Sequence, residues 1–111
     1  VMELTGKCKK AFEKWLLIWL KENIAWDCEN PTKEDVNHFY KFPFSMQFGV
    51  LVDYFISVDL LINIYGLDVF RYKLWDGEKL MVYGKDKRFN KIQEARTEAI
   101  KKANEIFNSN F

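Results

Sequence analysis

Proton-transfer or nucleophilic chemistry in this chain would have to be assembled from one histidine, His38, two cysteines, Cys8 and Cys28, and scattered carboxylates. General acid–base catalysis recruits His or a buried carboxylate pair. His38 falls in the link between the first two helical stretches, where an exposed histidine is the plain reading. A Cys28–His38 nucleophile pair is formally open, yet nothing around Cys28 has the form of a nucleophile motif. Asp27, Glu29, Glu34, Asp35 and His38 are close in sequence but lack the fixed spacings of zinc or calcium loops, so solvated charge explains them better. Gly49, Gly66, Gly77 and Gly84 stand singly, which leaves no phosphate-cradling loop. The expectation is a chain that is no enzyme and takes no cofactor or metal.

What remains suits binding. Arg71, Lys73 and Trp75 alternate along a strand, on the face opposite Phe70, Tyr72 and Leu74. Together they offer cations for phosphates and a ring on which a base can stack. Arg88, with Lys87 beside it, follows the third strand and extends the group. The competing reading is that this face is covered by the first helix or by another subunit. Asp53 stands in an apolar helix, with Gly49 one turn before and Ser57 one turn after. It is either a ligand-facing acceptor approached over the glycine or a hydrogen-bonded helix-packing residue. Trp15, Trp19 and Trp26 make the first helix aromatic and are the candidate interface with a protein partner.

These side chains need elements to position them. Residues from about Leu4 to Cys28 have helical periodicity, with Phe12, Trp15, Leu16, Trp19 and Leu20 on one face. Leu17, Ile18 and Ile24 widen the apolar sector, which predicts a helix covered on two sides and hence a homo-oligomer. Pro31 breaks the pattern, and Thr32 with Asp35 caps a short turn. A second helix is predicted from Ser45, as N-cap, to Val58, turning into a strand near Asp59; the rival is a long buried strand, because Val50 to Ile64 is rich in β-branched and aromatic residues. Residues 60–65, 67–75 and 79–83 alternate as strands, with Asp76-Gly77 as a two-residue hairpin loop placing Trp75 opposite Glu78. A three-residue loop is the alternative register. Asn90 to Gln93 reads as a capping box for a last helix, whose inner stripe is Ile92, Ala95, Ala99, Ala103 and Ile106 and which frays from Asn108. The predicted fold is α+β: two N-terminal helices, a three-stranded antiparallel sheet, and a C-terminal helix packed on it.

With 111 residues, 49% hydrophobic and 17% aromatic, the chain suffices for one domain over 1–111 with a core that needs no disulfide. A formal net charge of +1 gives no bulk attraction to nucleic acid or anionic membrane, and no nucleic-acid recognition motif occurs. The most apolar run, Trp15 to Leu20, is too short to cross a bilayer. Met2 reads as the natural start, after one extraneous residue, Val1. Without a signal-peptide pattern, the two thiols read as reduced and the location as cytoplasmic.

Two stretches carry a resemblance. Pro43-Phe44-Ser45-Met46-Gln47-Phe48-Gly49-Val50, running on to Asp53-Tyr54-Phe55, resembles a segment of small uncharacterised proteins encoded by tailed phages and prophages of gut bacteria. Glu94 through Asn104 is similar to their C-terminal helix, and Glu3-Leu4-Thr5-Gly6-Lys7 fits their opening. The matched residues cover about a third of the chain, and only their combination is specific, because alanine-rich helices are common. The resemblance implies a phage accessory protein acting in the host cytosol on host defences. It would act by sequestering a nucleotide signal, a cyclic nucleotide above all, or by blocking a host protein. It implies no catalytic residue.

Overall fold

The computed structural model describes residues 4–23, 31–77, 79–81 and 88–110. Helix α1, Gly6–Asn23, follows from a four-residue spacing: Cys8, Phe12 and Leu16 form its buried stripe. Trp15 and Trp19 flank that stripe half-buried, while Ile18 on the far side is 60% exposed. Among the described residues, the fully buried positions of α1 thus lie along one stripe. Two of the amides at its start, which no intrahelical carbonyl can satisfy, are met by α4, Ile92–Asn110. Thr5 N–H donates to Asn104 Oδ1 (3.0 Å) and Cys8 N–H to Asn108 Oδ1 (2.9 Å). In return Asn104 Nδ2 donates to Thr5 Oγ1 (2.9 Å) and Asn108 Nδ2 to the Thr5 carbonyl (3.0 Å). The last helix therefore continues through Asn108, where fraying was expected, because that asparagine is tied to α1.

The capped turn at Thr32 is a helix of its own, α2, Lys33–Phe39. The Asp35 carboxylate accepts from the Thr32 N–H at 2.7 Å, which fixes the start. Val36 and Phe39, one turn apart, supply a buried face. Three helices therefore precede the sheet, against the two predicted. Gln47 Nε2 donates to the carbonyls of Tyr40 (3.0 Å) and Phe42 (2.7 Å), lacing the end of α2 to the next helix. That helix, α3, Phe44–Ser57, starts two residues early: Pro43, not Ser45, is the N-cap, and its carbonyl accepts from Met46 and Gln47. Leu51, Tyr54 and Phe55 are its buried residues. The backbone reverses at Asp59 (φ 64°), so helix gives way to strand where the sequence predicts it.

Strands β1 (Leu60–Tyr65) and β2 (Arg71–Asp76) pair antiparallel over their full length, from Leu60↔Asp76 to Tyr65↔Arg71. A short β3 (Lys79–Met81) adds to the other side of β2, giving the order β1-β2-β3. Asp76 pairs with Lys79 and Trp75 with Leu80, so the reversal falls one position later than predicted. Gly77, with φ 61°, takes the left-handed conformation that tight hairpin loops require. The sheet's inner residues, Leu60, Ile62, Tyr72 and Leu74, are buried in one core with Phe12, Phe55 and Phe107. Ala95, Ala99 and Ala103 are fully buried on α4, which packs on both β1 and β2. Their small side chains allow that close approach. The architecture is α+β, with the helices on one face of an antiparallel sheet and the C-terminal helix packed on it, as predicted. No helix among the described residues is long and apolar enough to cross a membrane.

Candidate ligand-binding face

Because side chains alternate across a strand, burial of Tyr72 and Leu74 sends Arg71, Lys73 and Trp75 to the other face of the sheet, where each is half-buried. The register then sets a β1 residue against each of them: Tyr65 opposite Arg71, Asn63 opposite Lys73, Leu61 opposite Trp75. Tyr65 and Leu61 are 37% and 47% exposed, so the helices leave this outer face open. Lys73 Nζ lies 4.9 Å from the centroid of the Tyr65 ring, within cation–π reach.

Arg88 reaches the same end of β2 through a backbone bridge. Phe70 and Phe89 exchange both hydrogen bonds, at 2.8 and 2.9 Å. The chain on either side of that pair runs antiparallel, which brings the backbones of Arg71 and Arg88 alongside each other. Phe89 turns its ring inward, 6.3 Å from that of Tyr72, and Arg88, next to it, is exposed. The face thus has two arginines at one end, a lysine over a tyrosine ring in the middle, and Trp75 at the other end. The chain matches no protein-family model, no curated protein and no solved structure.

Asp53 does not join this group. Leu51, Tyr54 and Phe55 take the core side of α3, so the stripe Gly49–Asp53–Ser57 faces solvent. Asp53 is therefore neither an acceptor for the outer-face group nor a helix-packing residue. Trp15 and Trp19 stack on each other with centroids 6.2 Å apart, and Trp15 also packs 5.5 Å from Tyr54. Part of each ring is thereby spent within the fold. Trp26, Cys28 and Lys87 lie outside the described residues.

His38 is exposed in the last turn of α2, in a helix and not in a loop. Among the described residues, no three His, Cys, Asp or Glu side chains are grouped so as to hold a metal ion. Cys8 is wholly buried, and burial pushes its thiol up to about 12. At neutral pH it holds its proton and is no nucleophile. The site members that sequence reasoning missed are Tyr65, Asn63 and Leu61. Their alternation along β1 is visible in the sequence, but their place beside Arg71, Lys73 and Trp75 depends on a register that alternation leaves open.

Proposed function

We propose that this protein works by occupancy: its outer sheet face binds a planar, anionic ligand of the nucleotide class, without turning it over. The observation that carries the reading is the grouping of Arg71, Lys73, Tyr65 and Trp75 on one open face, with Arg88 at the arginine end. Aromatic planes stack bases with little regard to identity, and cations receive phosphates. From Arg71 to Trp75 the strand spans about 13 Å at roughly 3.3 Å per residue. That length suits phosphates held at the arginine end and a base laid on Trp75. In a phage-type accessory protein, such a face would act as a sponge for a cyclic nucleotide defence signal in the host cytosol.

The test is titration calorimetry of the purified chain against nucleotides and cyclic dinucleotides. At least one should bind, more weakly as salt is raised, and should be recovered intact after the protein is denatured. Losing one stacked base costs roughly 1–3 kcal/mol, so Trp75→Ala should weaken binding by about 10- to 100-fold. Silence across the panel, or recovery of cleaved product, overturns the reading. A second reading, a protein inhibitor of a host protein docking on α1, is favoured by one observation: Ile18, an apolar residue of that helix, stands 60% exposed. It predicts that silence, together with loss of partner binding in Trp19→Ala.

A further inference from the structure

Strand β1 lies at the edge of the sheet, and the hydrogen-bond polarity of that edge can be worked out. Gly77 N–H donates to the Asp59 carbonyl at 2.8 Å. In the same register, the pairs that exchange hydrogen bonds with β2 are Leu61↔Trp75, Asn63↔Lys73 and Tyr65↔Arg71. The backbone groups of Leu60, Ile62 and Ile64 therefore point the other way, off the sheet. Among the described residues, no backbone or side-chain hydrogen bond reaches them. Such an edge is a template for another strand, and proteins ordinarily blunt it with charge, proline or a bulge. Leu-Leu-Ile-Asn-Ile-Tyr has none of these, although β2 carries Arg71, Lys73 and Asp76.

We propose that this edge pairs with β1 of a second copy of the chain, antiparallel about a two-fold axis through Asn63. Three features favour a second copy. The register about Asn63 sets Ile62 opposite Ile64 and Leu61 opposite Tyr65. Core-facing residues thus meet core-facing ones, and exposed apolar residues meet their like. Asn63, the residue on the axis, carries both donor and acceptor, so two amides can satisfy each other where two like charges would repel. A net charge of +1 gives two copies little reason to stay apart. The product is one sheet continuous across both copies, with Ile62 and Ile64 exchanging backbone hydrogen bonds across the join and all helices on one side.

Sedimentation of the ligand-free chain near 100 µM tests this independently of the nucleotide reading. The parent chain should have twice the chain mass. Asn63→Lys sets two ammonium groups across a pair whose Cβ atoms are about 5 Å apart, and should yield monomer with an unchanged circular dichroism spectrum. Asn63→Thr, neutral and β-branched, should remain dimeric. On the axis, Cα atoms of the non-hydrogen-bonded pair are about 4.5 Å apart, within disulfide range. Asn63→Cys should accordingly give a covalent dimer on mild oxidation that the parent chain does not give. A monomeric parent overturns the proposal. So does a dimer that survives Asn63→Lys, or one in which Asn63→Cys fails to cross-link.

Discussion

Cys8 and Tyr54 share the interior of the helical layer, and their ionisation sets how the protein responds to alkali. Burial raises the Cys8 thiol from its ordinary 9.0 to about 12. Burial also raises the Tyr54 hydroxyl, with a smaller push from Cys8, whose thiolate would repel a phenolate. Both groups are acids that the fold prefers neutral, so their ordinary ionisation in the unfolded chain sets the sign. Below pH 9 the folded and unfolded chains hold the Cys8 proton alike and stability is intact. As pH rises from 9 toward 12, the unfolded chain releases that proton first and stability falls. The melting temperature should therefore drop through this window. Cys8→Ala should start lower, from its cavity, but decline less steeply; parallel declines would refute the assignment. At this scale the shared face of Arg71, Lys73 and Trp75 was legible from alternation along the strand. The outward turn of Asp53 was not, because Gly49, Asp53 and Ser57 fit a packed stripe or a wet one equally well until the helix has a partner.

Among the elements, the β1–β2 connection is the most constrained. Gly66 has φ 122°, and a Cβ there would run into the Val69 carbonyl oxygen. Both the dihedral and the close approach demand glycine. Gly66→Ala should cost roughly 2 kcal/mol or more in urea denaturation; a loss of only a few tenths would show that the loop can relax. Local pattern made most elements readable in advance: the alanine stripe of α4, the alternation of β1 and β2, and the helix-to-strand switch at Asp59. It failed where the deciding contact is distant or competing. α2 is short enough to pass for a turn until Val36 and Phe39 find a core. Asp76-Gly77 marks the reversal but not its position, because Asp76 stays in the strand, paired with Leu60 on one side and Lys79 on the other. The asparagine clamp joins residues 99 to 103 positions apart, beyond any periodicity.

Taken whole, the molecule is polarised across its sheet. The helices and the buried aromatics lie behind the inner face, while Arg71, Lys73, Tyr65 and Trp75 lie on the front. A binding surface on the front can thus change without disturbing the core, and residues 71, 73 and 75 should tolerate substitution better than 72 and 74. The clamp of Asn104 and Asn108 onto Thr5 has a topological consequence of its own. Since the opening and closing turns touch, the backbone is nearly a ring. Joining its two ends through a short flexible linker and cutting between Leu67, which is 95% exposed, and Asp68 should give a circular permutant with the parent's far-ultraviolet spectrum and cooperative melting. An unfolded product would mean that the clamp needs its two helices free to dock separately. The start of α1 and the last turns of α4 thus lie at one pole, where the asparagines hold the seam shut.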